Sequence, residues 1–217
     1  MGRAFLGVDV AGAEKTWMCA LREVDNGLKL ENAPGSASLV EIVRYAEHEN
    51  IDGVAIDAQL THALSEETGM RSSDMQLRGM LPANCRNWVQ SQNSLQTVTV
   101  RGRQLAEALS PIVGTIIETH PRACLNFVVP EDLRDTVNLY KQNDENGHGL
   151  RLWEYWCKQF GISGNVSYAT DHGLDALVCA TVAWMFHHNY DMLLRLQQES
   201  VDKRGRGPFY VIRPSRL

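Results

Sequence analysis

The sequence offers no disulfide framework: its five cysteines, Cys19, Cys85, Cys124, Cys157 and Cys179, stand singly, odd in number and without a C-x-x-C pair. Reduced, packed thiols are expected, and a zinc ribbon is not. No apolar run approaches the ~18 residues of a membrane span, and the opening MGRAFLGVDVAG is too short for a signal peptide. A cytoplasmic protein without membrane association follows. Positive charge is outnumbered, 21 Lys and Arg against 26 Asp and Glu. The net charge of −5 excludes a protein that coats nucleic acid non-specifically by neutralising many phosphates, so any nucleic-acid site must be local. Neither G-x-S-x-G nor H-E-x-x-H occurs. A Walker loop fails because Ala13, after Gly7 and Gly12, stands where Lys is required.

What is present reads as an α/β protein with a packed core, 44% hydrophobic and 22% charged. The length of 217 residues suits one domain spanning 1–217. Residues 4–10 (AFLGVDV) make a buried strand, followed by a Gly-containing turn and a second strand near 15–22. Asn26-Gly27 marks a hairpin turn into a third strand at about 28–32. Ser38 caps a helix over 39–49, and 52–58 (DGVAIDA) is a fourth strand, parallel to an earlier one by the strand-helix-strand order. A polar insertion covers about 59–97. A helix near 100–109 leads to a fifth strand at 113–118, and His120-Pro121 then starts another short helix. Residues 150–160 are amphipathic and helical. HGLDALVCATVAWMF (172–186) is so apolar that its helix must be buried. The tail over 207–214 suits a small edge strand, within a basic extension at about 199–217.

Four acids sit where acids are costly: Asp9, Asp57 and Glu118 at the ends of apolar strands, and Asp175 inside the apolar helix. Burying an ionised carboxylate costs several kcal/mol unless a cation or hydrogen bonds compensate it, and no Lys or Arg lies at local spacing beside Asp175. Parallel strands present their carboxyl ends on one sheet edge, where such acids can converge. Mg²⁺ or Mn²⁺ suits carboxylate oxygens, and two ions are expected, because a pair ~3.5–4 Å apart supports phosphodiester hydrolysis. Asp171 and His172 precede Asp175 by four and three residues and share its helical face, so either can complete the site. Local alternatives stand beside these roles. Asp9 and Asp57 could cap turns, Asp171 could be the helix N-cap, Glu118 could pair with Arg122, and Asp175 could pair with a distant Arg. Lys15, Arg71 and Arg78 are candidates for holding substrate phosphates, and Trp88 for stacking on a base. His187 and His188 suit the negative end of the long helix.

The segments GVDVAGAEKTW (7–17), AIDAQL (55–60), IETHPRA (117–123) and DHGLDALVCATVAW (171–184) resemble, in order, the motifs of the predicted-nuclease family called domain of unknown function 429. That family is similar to the ribonuclease H-like superfamily. The resemblance implies a mixed five-stranded sheet, three antiparallel strands then parallel ones, with helices on both faces. It also implies that Asp9, Asp57, Glu118 and Asp175 are the site acids. His172-Gly-Leu-Asp175-Ala176 looks like the corresponding end of Holliday junction resolvases. Gln59 departs from the family's usual Pro. The reading is a metal-dependent nuclease acting on DNA or RNA. Its rivals are a non-enzymatic module of the same fold that binds nucleic acid, nucleotide or protein, and an actin-like phosphotransferase, which the length disfavours. Oligomeric state stays open, a homodimer included.

Overall fold

The computed structural model describes residues 2–11, 16–62, 68–142, 146–164, 170–197 and 207–214. The apolar opening segment forms β1 (Ala4–Asp9), buried along its whole length. It runs antiparallel to β2 (Trp17–Val24), which pairs in turn with β3 (Gly27–Leu30) and, at its start, with the two-residue β4 (Gly35–Ser36). Val24 pairs with Gly27, so the hairpin connection is Asp25-Asn26, one residue earlier than the Asn26-Gly27 signal suggests. Gly27 itself enters β3 at φ +136°, and a Cβ there would lie 2.7 Å from the Gly161 carbonyl oxygen. The need for glycine at 27 therefore comes from this close backbone approach as much as from the turn.

Helix α1 (Leu39–Glu49) starts at the expected Ser38 with a full capping box. The Ser38 hydroxyl accepts from the Glu41 N–H at 3.3 Å, and the Ser38 N–H donates to Glu41 Oε2 at 2.7 Å. The helix delivers the chain to β5 (Ile51–Asp57), which lies parallel to β1 with Asp9 and Asp57 in register. The insertion holds α2 (Ser72–Met80) and a 3₁₀ turn over Ala83–Trp88, and α3 (Gln96–Leu109) begins four residues before the amphipathic stretch suggests. Strand β6 (Ile116–Glu118) joins β5 in parallel. Next come α4 (Pro121–Val128), α5 (Arg134–Leu139), α6 (His148–Gln159) and β7 (Ile162–Ser163), the last parallel to β3. Helix α7 (Asp171–His187) precedes a small antiparallel pair, β8 (Leu193–Arg195) and β9 (Tyr210–Ile212).

The main sheet is thus mixed and seven-stranded, in the order β6-β5-β1-β2-β3-β7 with β4 on β2. Its five longer strands are those the hydrophobic pattern shows; β4 and β7, two residues each, are too short to leave a periodicity. Successive side chains point to opposite faces of a strand. Ala4, Leu6, Val8, Val54, Ile56 and Ile116 pack on one face with α1 and α3, whereas Phe5, Ala55 and Ile117 share the other with α6 and α7. Helix α7 lies directly against β1, because Gly7 has no side chain: a Cβ there would sit 2.0 Å from the Ala176 carbonyl oxygen and 2.2 Å from the Ala180 nitrogen. This close approach brings the buried helical acid down to the strand-end acids. Residues 207–209 return to the β6 edge, with Glu118 N–H donating to the Pro208 carbonyl at 3.0 Å. Among the described residues, no helix is long and apolar enough to cross a membrane.

Candidate metal centre

Asp9 ends β1, Asp57 ends β5, and Asp175 lies one turn into α7. Their carboxylates each offer an oxygen within 4.8 Å of the others, a group that could hold a metal ion. The convergence follows from strand parity. Asp9 and Asp57 are register partners in parallel strands, and each sits two residues beyond one that faces α7, Gly7 and Ala55 respectively. Asp9 is 5% exposed and Asp175 0%.

Each acid is held differently. His172, three residues before Asp175, presents Nδ1 to Asp9 Oδ2 at 2.7 Å, and its ring stacks on Trp17. The bond to Asp9, against the cost of burial, raises the His172 pKa above its ordinary value. Asp175 accepts from the Tyr140 hydroxyl through Oδ1 at 2.7 Å, and Lys141 pairs with its Oδ2. Burial lifts Asp175 to about 6, although Lys141 pulls the other way. Asp57 is the outlier. Among the described residues no hydrogen bond or ion pair reaches its carboxylate. Burial, then the charges of Asp9 and Asp175, push its pKa well above the usual carboxylate range. A partnerless carboxylate beside two others is a place where a divalent cation removes a standing electrostatic cost. The donor set is oxygen-rich and suits a hard cation.

The third strand-end acid does not join them. Glu118 is the register partner of Ile56, not of Asp57, and therefore shares the face of Ile56 and Ile116. There Arg71 grips both its oxygens, with Nη1 to Oε2 at 2.7 Å, while the Leu60 N–H donates to Oε2 at 2.9 Å. Arg71 also donates to both oxygens of Asp74 and to the Thr61 hydroxyl, so all five of its N–H groups are spent inside the protein. Arg71, expected as a phosphate ligand, lines the cleft and is the buried tie between the insertion and β6. The pairing of Glu118 with Arg122 does not form. Arg122 lies over the Trp88 ring at 4.1 Å and donates to the Val137 and Asn138 carbonyls.

Arg78 sits half-buried on α2 and does not line the cleft above the acids. Asp171 is the first residue of α7, outside the three-acid group, and the N-cap is Thr170, whose hydroxyl accepts from the Gly173 N–H at 3.2 Å. Lys15 lies outside the described residues, as does most of the basic tail. Gln59 braces the end of β5: its amide donates to the Gln90 carbonyl at 2.9 Å and to Asp74, and accepts from the Thr99 hydroxyl. Two residues escaped the sequence reading altogether. Tyr140 and Lys141 fall in a charged, turn-rich stretch whose local pattern gives no hint that it folds over α7.

Asp9 and Asp57 open into a cleft of about 320 Å³. Its lining also includes Lys141 and His172, with the apolar side chains of Trp88 and Val98 as part of its wall. The family model for a protein of unknown function (DUF429) matches residues 7–193. No curated protein matches the chain.

Proposed function

The chain belongs to the DUF429 family, and we propose that it is a divalent-metal-dependent nuclease that hydrolyses phosphodiester bonds in DNA or RNA. The observation that carries the reading is the meeting of Asp9, Asp57 and Asp175, with Asp9 and Asp57 lining a cleft and, among the described residues, no hydrogen bond or ion pair on the Asp57 carboxylate. Asp9 and Asp57 would hold Mg²⁺ or Mn²⁺. A bound ion there supplies positive charge to a phosphodiester oxygen and makes a water more acidic.

The chain's own groups have separable tasks. Asp9 orients His172 through Nδ1, and among the described residues no hydrogen bond reaches Nε2, so it is available to take a proton from an attacking water. Trp17 behind the ring limits its rotation. Trp88 and the apolar wall give a flanking base a surface to stack on. Gln59, Asp74, Arg71 and Glu118 form a buried polar lattice that keeps the insertion at the cleft's edge.

The test combines metal binding with cleavage. In the parent, Mn²⁺ raises the melting temperature, and one member of a panel of single-stranded, double-stranded and branched substrates is cut. In Asp57→Asn the Mn²⁺ shift and the cleavage both disappear, while the metal-free protein melts no lower than the parent. A parent that neither responds to Mn²⁺ nor cuts any substrate refutes the reading, as does an Asp57→Asn variant that does both.

A further inference from the structure

Lys141 stands where a two-ion site needs space and unoccupied oxygens. Its ammonium pairs with Asp175 Oδ2, and the Tyr140 hydroxyl takes Oδ1, so both oxygens of the helical acid are engaged within the protein. His172 occupies one oxygen of Asp9. Among the described residues, the oxygens that no protein partner holds are the second oxygen of Asp9 and both oxygens of Asp57. Mg²⁺ is commonly held by one or two carboxylates and several waters, so this set serves one ion. Two ions bridged at ~3.5–4 Å would call on Asp175 as well.

Charge points the same way. Three carboxylates are balanced by one divalent ion together with Lys141. A second divalent ion beside Lys141 would leave two surplus positive charges beside the buried Asp9 and Asp175, before any substrate arrives. Lys141 is also placed to serve both sides: its side chain is 31% exposed and lines the cleft, while the carboxylate it pairs with is fully buried. An ammonium has three donors, and those not spent on Asp175 can meet a phosphate oxygen as a point charge.

The geometry points to a one-ion centre in which Lys141 takes the place of the second metal, neutralising Asp175 and contacting the substrate phosphate. This rests on the nuclease reading above and specifies how its site is built.

The experiment counts ions on the full chain by Mn²⁺ titration, using calorimetry and the electron paramagnetic signal of free Mn²⁺. The parent takes up one ion. Lys141→Met frees Oδ2 of Asp175 and takes up two; Lys141→Arg restores the count to one. Since Lys141→Met leaves a buried carboxylate unpaired and can fail to fold, the double variant Lys141→Met/Asp175→Asn provides the second arm. It removes both charges and retains one ion at the parent's affinity. Two ions in the parent, an unchanged single ion in a folded Lys141→Met, or loss of binding in the double variant each overturn the inference while leaving a metal centre in place. A parent that binds no Mn²⁺ overturns it together with the nuclease reading on which it rests.

Discussion

Replacing Glu118 by Gln separates a structural acid from a metal ligand. The parent carboxylate accepts two bonds from Arg71 and one from the Leu60 N–H, with both side chains of the pair no more than 3% exposed. Removing one partner of a buried ion pair costs about 3–5 kcal/mol. Gln retains an oxygen that can serve one of the three donors, while its NH₂ is turned towards another donor. Arg71 keeps Asp74 and Thr61, so its charge is still compensated. The low end, about 3 kcal/mol, is therefore expected. For a chain of this size it lowers the melting temperature by roughly 6–12 °C. The assay is thermal unfolding of parent and variant with and without Mn²⁺. Glu118→Gln should melt lower than the parent by that amount in both conditions, with the Mn²⁺-induced increment intact. A variant that melts with the parent but has lost the increment would refute the placement of Glu118 on the opposite face.

Two further outcomes follow from the packing and the charges. Gly7→Ala puts a Cβ against the backbone of α7, which cannot yield as a side chain can, so the variant should lose more than about 3 kcal/mol in urea unfolding, beyond ordinary overpacking. A loss under about 1 kcal/mol would mean that α7 does not rest on β1 as described. Burial pulls His120 down to about 4, so between that pH and its ordinary ~6.5 the unfolded chain binds a proton that the folded chain refuses. The contribution of the neutral ring is complete above pH ~6.5 and is lost as pH falls towards 4, amounting to at most about 3 kcal/mol. His120 also caps α4 by accepting from the Ala123 N–H, a bond that Asn can replace. Unfolding free energies from pH 7.5 to 4.5 should therefore fall less steeply in His120→Asn than in the parent, and parallel profiles would count against a neutral His120 in the folded protein.

The amino-acid order by itself determined the scaffold of the centre. Apolar runs ending in Asp9 and Asp57 mark two strands, the Ser38 cap marks the helix that makes them parallel, and Asp175 stands out as the one acid deep within a strongly apolar helix. These signals are local, spanning one strand or a few turns, and they survive without knowledge of what packs against them. Tertiary structure alone decided which acids meet. A strand reverses its faces at every residue, so whether Glu118 aligns with Ile56 or with Asp57 determines whether it joins the site or leaves it, and no pattern within residues 113–118 specifies that register. The same holds for the cations: Arg71 reaches Glu118 across 47 residues and Lys141 reaches Asp175 across 34. Such pairings are set by how loops close over the sheet and leave no trace in local spacing, which is why Arg71 looked available and Lys141 went unnoticed.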